Sequence, residues 1–234
     1  MNIRNSIYNI GNDYPQYVSR IIKIKLEPIP EPEPTPDSKP ELDPEPESEP
    51  IDPLNPLGLP PYTIRVKYAE GYTPVFNKGT AVQVSESQNI WDLTYENTNW
   101  SGLLETNTAS SSNHKKLIEV LGANTTGVTL MSRMFMDDEN LETLVLFDTS
   151  KVTNMESFCS WCTKLNAIPL FATEKVTNVS DAFAYCQSVQ SGAYELWLQM
   201  SSQDNPPTTT VGCFYDCGAS DNIPENDWKY MEWD

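Results

Sequence analysis

The chain has little histidine and little positive charge. Its 234 residues include a single histidine, His114, and 15 lysines and arginines against 33 aspartates and glutamates, for a net charge of −18. The glycines follow no phosphate-loop or dinucleotide-loop spacing, and neither a Gly-x-Ser-x-Gly nor a His-Glu-x-x-His motif occurs. We therefore expect no enzymatic activity, no catalytic residues, no metal and no other cofactor. Nucleic acid is not an expected partner either, because an acidic surface repels phosphate.

Long hydrophobic runs are also missing. A membrane-spanning helix needs roughly 18 consecutive apolar residues, and no stretch of the chain comes near that length. Residues 1–13 have no continuous apolar core of the kind that a secretory signal carries. We expect neither membrane insertion nor export by the usual secretory route.

Residues 1–26 form a basic segment in which apolar side chains alternate with lysines. This alternation predicts a strand with one apolar face, and the segment is too short to build a core of its own. We therefore expect it to dock on a larger assembly or to self-associate. Its candidate anchoring residues are Arg20, Ile22, Ile24 and Leu26.

Residues 27–61 have a different composition. They hold 13 of the 19 prolines, and residues 27–52 carry ten carboxylates against one lysine, Lys39. Proline cannot donate a backbone hydrogen bond and the carboxylates repel one another, which predicts a disordered, extended linker. A passive spacer is the favoured interpretation, and a proline motif for a partner domain is the alternative.

The remaining chain has the pattern of a folded region in three parts. Residues 62–109 hold two strand patterns, at residues 62–68 and around residues 82–84, which predict a small antiparallel β cap. Residues 110–200 are expected to begin with a helix, capped at residues 110–113, that carries residues 117–121 and ends at Gly122, before the repeats. Residues 201–234 are expected to hold a degenerate last repeat and a tail, which is either a flexible end or a terminal cap.

A 24-residue repeat is the strongest pattern in the sequence. Val-Thr pairs recur at positions 128, 152 and 176, and residues 129–147, 153–171 and 177–195 align as three units. Residues 213–217 echo residues 182–186 as a degenerate fourth unit. Repeats of this length stack so that each unit buries its apolar side against the next. The predicted repeat-core residues are Val128, Met131, Phe135, Val152, Met155, Phe158, Val176, Val179 and Phe183.

Residues 147–165, FDTSKVTNMESFCSWCTKL, resemble the BspA-like leucine-rich repeat, whose units read approximately Asp-Thr-Ser-x-Val-Thr-Asn-Met, then Met-Phe, then a Cys and a Leu. The wider arrangement, with PYTIRVKYAEGYTPVF and NIWDLTYENTNWSGLL ahead of the repeats, is similar to modules in virion proteins of phages that infect gut Bacteroidales and in bacterial surface proteins. Together with the predicted helix, the resemblance implies a mixed α/β fold. In it, the disordered Pro/Glu-rich spacer and the β cap precede an irregular BspA-like leucine-rich repeat solenoid. The sequence departs from the repeat at Asp138 in place of Cys, Cys159 in place of Phe and Ala182 in place of Met.

The same resemblance implies a non-enzymatic fibre or decoration protein on the surface of a virion. Its N-terminal segment would contact capsid or tail proteins, and its repeats would bind a host-surface or mucosal ligand, with a glycan as the expected ligand. We expect a homo-oligomer, either a dimer or a trimer. The alternatives are a purely structural capsid or tail decoration protein, an adhesin on a bacterial cell surface, and, from a different class, a carbohydrate-active enzyme.

The cysteines form the first set of candidate site residues. Cys162, Cys186 and Cys217 fall at the same point of successive units, which predicts a buried structural ladder of reduced thiols. The alternatives are a zinc site that includes Cys159 and Cys213, and a disulfide.

Aromatic residues are the best candidates for ligand contacts. Most of the six tryptophans are expected in the core. Trp161 differs, because its equivalents Asp137 and Tyr185 indicate a turn position that faces outward. Exposed rings stack on sugars, so Trp161 and Tyr185 are the predicted ligand contacts.

Overall fold

A computed structural model describes residues 52–76, 78–104 and 116–230. The chain divides into two units, Met1–Glu47 and Ser48–Asp234, and every described residue belongs to the second unit. The predicted anchoring segment, with Arg20, Ile22, Ile24 and Leu26, and residues 27–51 of the predicted spacer lie outside the described residues.

A five-stranded sheet is the main regular element of the described chain. Its strands are β1 (Thr63–Tyr68), β2 (Thr80–Ser85), β3 (Ile90–Thr94), β4 (Leu117–Asn124) and β5 (Thr143–Leu144). They lie in the order β2-β3-β1-β4-β5. All neighbours are antiparallel except β4 and β5, which are parallel. Strands β1 and β2 lie where the sequence patterns predict strands.

The central strand β1 pairs with β3 along one edge and with β4 along the other, and its side chains form ion pairs with both neighbours. Its buried apolar residues alternate with Arg65 and Lys67. Arg65 Nε lies 2.7 Å from Asp92 Oδ1 on β3, and Lys67 pairs with Glu119 on β4. Partly exposed ion pairs contribute only about 0–1 kcal/mol each, so burial of the apolar face is the larger contribution to stability.

The helix predicted over residues 117–121 is wrong, because these residues form β4. Two register shifts interrupt the pairing of β4 with β1, as β-bulges do. As a result Leu117 and Val120, three residues apart, are both buried. That spacing is typical of a helix, and it concealed the strand in the sequence.

The predicted mixed α/β fold class is also wrong, since the described chain is mainly β with one short helix, α1 (Ala193–Ser201). The predicted leucine-rich repeat solenoid is wrong as well. Within residues 125–230, β5 is the only strand, and successive units otherwise meet through isolated parallel bridges, such as Leu130 with Asn154. The physical reason is that the units consist of tight turns, which leave too few extended residues for continuous strands. The strands within the predicted β cap pair antiparallel, and the sheet extends beyond it through β4 and the parallel strand β5 of the first repeat unit.

Threonines connect the successive turns. Thr98, Thr129, Thr153, Thr177 and Thr208 occupy equivalent positions, and from Thr129 onward each backbone N–H donates to the carbonyl of the preceding threonine at 2.8–2.9 Å. The side-chain hydroxyls donate to the same carbonyls at 3.1–3.3 Å. Two hydrogen bonds at one carbonyl therefore hold each turn in register with the next.

Phenylalanine rings fill the interior of the turns. Phe158 lies between Phe135 and Phe183, with ring centroids 5.3 and 6.1 Å away, and Phe183 stacks on Phe214 at 5.9 Å. These contacts add to the burial of the rings, each of which is almost inaccessible to solvent. The nine predicted repeat-core residues are all buried: Val128, Met131, Phe135, Val152, Met155, Phe158, Val176, Val179 and Phe183.

The buried threonines Thr149 and Thr173 occupy equivalent positions in successive turns, and helix α1 packs next to Thr173 at the end of this row. It begins after Gly192, whose φ is 93° and where a Cβ atom would lie 1.9 Å from the carbonyl oxygen of Ile168. Only glycine fits such a position. On the next turn of the helix, Gln199 Nε2 donates to the carbonyl of Phe171 at 2.7 Å and to Thr173 Oγ1 at 3.1 Å. The glutamine thus ties α1 to the last of these turns through Phe171 and Thr173.

The described part of the C-terminal tail covers the last turn. The N–H of Phe214 donates to the carbonyl of Trp228 at 2.8 Å, and the two rings stack with centroids 6.3 Å apart. Of the two alternatives for the tail, residues 227–228 therefore favour a terminal cap. No helix among the described residues is long and apolar enough to cross a membrane.

Candidate functional site

Residues with left-handed backbone conformation form two columns along the turns. The first column is Gly102, Arg133, Ser157, Asp181 and Gly212, and the second is Asp137, Trp161, Tyr185 and Asp216, with φ between 49° and 66° throughout. This conformation costs a non-glycine residue roughly 1–2 kcal/mol. A bulky aromatic residue is an outlier there, and such outliers cluster at functional sites.

Backbone hydrogen bonds fix these columns in place. The N–H of Trp161 donates to the carbonyl of Ala184 at 2.8 Å, and the N–H of Tyr185 donates to the carbonyl of Tyr215 at 2.8 Å. Each turn therefore positions the next one, and the side chains of one column follow one another along the repeat axis.

Three aromatic side chains, Trp161, Tyr185 and Tyr215, make up what we call the aromatic strip. Trp161 and Tyr185 stack with ring centroids 3.9 Å apart and an angle of 17° between the ring planes. Tyr215 meets Tyr185 edge-on at 5.3 Å. Trp161 is 43% exposed although tryptophan is usually buried. The structure thus brings the two predicted ligand contacts, Trp161 and Tyr185, into direct contact with each other.

Carboxylates surround the aromatic strip. Asp137 and Asp216 lie in the same column as its rings, and Asp181 lies in the neighbouring column. Burial, followed by the nearby Tyr215, Asp216 and Asp181, raises the pKa of the Tyr185 hydroxyl. Burial, followed by the charge of Glu156, raises the pKa of Asp181. Asp216 and Asp181 are therefore close enough to the Tyr185 hydroxyl to influence its pKa.

One carboxylate oxygen of this group has no partner. Asp181 Oδ1 is inaccessible to solvent and receives no hydrogen bond from the described residues. Asp216 Oδ2, in contrast, accepts a hydrogen bond from Gln187 Nε2 at 2.6 Å. A buried acceptor without a donor is unfavourable, and because Asp181 Oδ1 is closed to solvent, Asp181 acts on a ligand at the rings through its charge rather than through this oxygen.

The predicted cysteine ladder, Cys162, Cys186 and Cys217, lies inside the turns. The three thiols are buried and free, as are Cys159 and Cys213. Cys162 Sγ donates to the carbonyl of Phe135 and Cys186 Sγ to the carbonyl of Cys159, both at 3.1 Å. Burial raises the pKa of all five thiols. No group of three or more metal-ligating side chains occurs within residues 52–76, 78–104 and 116–230.

Asp138 takes the place of a cysteine at the start of this ladder. It is 1% exposed, and neither of its carboxyl oxygens has a hydrogen-bond partner among the described residues. Burial, followed by the charge of Asp137, raises the pKa of Asp138 well above its ordinary value. The neighbouring Asp137 lies in a different environment. It is half-buried and belongs to the same column as Trp161 and Tyr185.

Sequence reasoning missed a complete turn and the acidic part of the site. Thr98 and Asn99 precede the buried Trp100, as Thr153 and Asn154 precede Met155, which is a signal that the sequence did contain. It was obscured because Thr98 and Thr129 are 31 residues apart, whereas Thr129, Thr153 and Thr177 follow one another at 24 residues. The position of Asp181 next to the rings had no sequence signal.

A half-open cavity of about 430 Å³ lies elsewhere on the repeats. Leucine and phenylalanine side chains line it beside carboxylates, including Leu54, Leu146, Phe171 and Glu174. None of the residues of the aromatic strip lines this cavity. The two features are therefore separate.

Residues 98–206 match the family model described as Mycoplasma protein of unknown function, DUF285. The match covers less than half of the chain. It begins at Thr98, the first of the threonines that connect successive turns, and it extends past α1. It includes Trp161, Tyr185 and Asp181 but not Tyr215. No curated protein and no solved structure matches this chain.

Proposed function

We propose that the repeats bind a glycan through the aromatic strip, as the recognition part of a non-enzymatic fibre or decoration protein on a virion. The observation that carries this proposal is the stacked pair of the exposed Trp161 and the half-buried Tyr185 on left-handed turn residues. Sugar rings present C–H groups on one face and hydroxyls at their edges. Exposed indole and phenol rings can contact the former while carboxylates accept hydrogen bonds from the latter.

The backbone of the site supports recognition by a fixed surface. Hydrogen bonds between turns hold the backbone of Trp161 and Tyr185, and the two rings stack on each other, so they need little ordering when a ligand binds. A preorganised surface keeps the entropic cost of binding low. The strip lies on turns rather than in a deep cleft, which favours binding over catalysis.

The virion setting provides multiple copies of this surface. In the proposal, residues 1–26 attach the chain to capsid or tail proteins and the acidic spacer holds the repeats away from the particle. Several copies on one particle, or in a homo-oligomer, convert weak single contacts into strong attachment, because each later contact is intramolecular. Modest affinity of one strip is then sufficient.

Display of the full chain in many copies on beads, followed by binding to a glycan array, tests the recognition part. We expect Trp161→Ala to lower binding at least about tenfold, and Leu198→Ala to bind like the wild type. Leu198 is a matched control because it is 48% exposed on α1, outside the strip. Equal binding by Trp161→Ala, or no binding to any glycan by the wild type, would overturn the proposal in favour of structural decoration.

The attachment part requires a separate experiment. Deletion of residues 1–26 is expected to prevent incorporation of the protein into purified particles without changing glycan binding by the bead-displayed protein. Normal incorporation of the deletion variant would contradict the anchoring role and leave the recognition role intact.

A further inference from the structure

We infer that the aromatic strip accepts neutral or amine-bearing sugars and rejects sugars that carry carboxylate, sulfate or phosphate groups. This inference rests on the proposed glycan-binding function and narrows its ligand class. The carboxylates of Asp137 and Asp216, one at each end of the column that holds Trp161 and Tyr185, carry it together with the nearby charge of Asp181.

The charges around the strip are mostly negative. Asp137 and Asp216 lie at its two ends in the same column, while Asp181 lies in the adjacent column, close to Glu156. The cations on the same turns are Arg133 and Lys164, and Lys164 Nζ donates to Asn140 Oδ1 at 2.6 Å. Because Asp137 and Asp216 stand at both ends of the ring column, the charge next to the rings is negative.

The hydrogen-bonding groups beside the strip also favour neutral or amine-bearing sugars. Carboxylates accept hydrogen bonds and donate none when they are ionised. Asp216 Oδ2 accepts from Gln187 Nε2 at 2.6 Å and retains further acceptor capacity for a ligand hydroxyl or ammonium group. Asp181 Oδ1 is inaccessible to solvent, so Asp181 contributes its charge and not this oxygen. A ligand carboxylate or sulfate offers no proton to the carboxylates beside the rings.

Electrostatics sets the size of the expected discrimination. A like charge about 4 Å away in water changes affinity roughly fivefold. An acidic sugar on the strip meets at least two carboxylates at once, which predicts discrimination of about tenfold or more against it. The Debye length is about 8 Å at physiological ionic strength, so added salt should reduce the discrimination.

An array of paired glycans tests the inference with the full chain displayed on beads. Each neutral glycan is printed beside its sialylated or sulfated counterpart, and each N-acetylglucosamine glycan beside its de-acetylated form, which carries an amine. We expect the neutral member to bind at least about tenfold better than its acidic counterpart, and the amine form to bind at least as well as the acetylated form.

Variants assign the discrimination to particular carboxylates. Asp137→Asn and Asp216→Asn should each improve binding of the acidic glycans about fivefold relative to binding of their neutral counterparts. Glu174→Gln is the matched control, because this exposed carboxylate lines the cavity away from the strip. It should leave the discrimination unchanged.

The outcomes separate this inference from the function on which it rests. If acidic glycans bind as tightly as neutral ones and Trp161→Ala still abolishes binding, the strip binds glycans and the charge rule is wrong. If both Asp→Asn variants keep the full discrimination, the rule is also wrong. If no glycan binds the wild type, the proposed function fails and the inference fails with it.

Discussion

Replacement of Asp138 by cysteine should stabilise the protein. Asp138 is fully buried, has no hydrogen-bond partner for either oxygen among the described residues, and stands where later units have Cys162 and Cys186. A buried polar group without a partner costs about 1–3 kcal/mol. A cysteine at this position is small and apolar, as it is at the equivalent positions.

The size of the effect depends on pH. Burial raises the pKa of Asp138 well above its ordinary value of 3.8, and the charge of Asp137 raises it further. Above pH 3.8 the unfolded chain loses this proton while the folded protein keeps it, so stability falls as pH rises towards the folded-state pKa. Each pH unit in that window costs about 1.4 kcal/mol. At pH 7 we expect Asp138→Cys to gain at least the roughly 1–3 kcal/mol that a buried polar group without a partner costs.

Urea unfolding of the full chain between pH 4.5 and pH 8 measures this prediction. The difference between Asp138→Cys and the wild type should grow as pH rises and then level off above the folded-state pKa. Asp138→Asn removes the titration but keeps a buried polar group, so it should lose the pH dependence and gain less stability. The exposed Asp221 provides the control, and Asp221→Asn should match the wild type within about 0.5 kcal/mol. An unchanged pH dependence in both Asp138 variants would refute the reasoning.

Three further predictions concern the interior of the turns. Phe158→Ala should lower the free energy of unfolding by about 3–5 kcal/mol because the ring is fully buried between other rings, while Leu198→Ala, on the exposed face of α1, should change it by less than about 0.5 kcal/mol; urea unfolding that shows equal effects would contradict the packing. Native protein should react only slowly with Ellman's reagent at pH 8, since all five thiols are buried and even Cys217 has a pKa raised to about 12; five thiols titrated rapidly without denaturant would contradict this. Gly192→Ala should destabilise the protein by more than about 1 kcal/mol, because its φ is 93° and a Cβ atom would meet the carbonyl of Ile168; an unchanged melting temperature would show that α1 begins differently.

The repeat core could be predicted from sequence because each unit keeps apolar side chains at the same positions. Residues 158 and 159 are a local departure from this pattern. Cys159 occupies the equivalent of Phe135 and Phe183, yet the preceding Phe158 places its ring between those two rings. A large and a small side chain have exchanged adjacent positions, so the volume of the core is conserved.

The fold class could not be predicted because the spacing of apolar residues did not indicate which segments pair as strands. In β4, bulges gave a strand the apolar spacing of a helix. In the repeats, the leucine-rich pattern implied a strand in every unit, whereas tight turns and single bridges form instead. Whether extended residues become a strand depends on the neighbouring segment, and that information lies outside the local sequence.

The candidate site was predictable in part. The alignment of Trp161 with Asp137 and Tyr185 indicated an exposed turn, and the structure places all three in one column. The stacking of the rings and the unpaired oxygen of Asp181 depend on left-handed backbone conformations. Nothing in the residue types predicts such conformations, because tryptophan and tyrosine rarely adopt them.

Hydroxyl-radical footprinting tests the glycan-binding strip most directly. The full chain is oxidised with and without a saturating amount of the strongest glycan from the array, and modification of each aromatic residue is quantified by mass spectrometry. We expect Trp161 and Tyr185 to be protected at least about threefold, because a ligand on the strip covers their rings. Tyr230, which is 63% exposed and outside the strip, should react equally in both samples. Unchanged oxidation of Trp161 in the glycan-saturated protein would contradict the central claim.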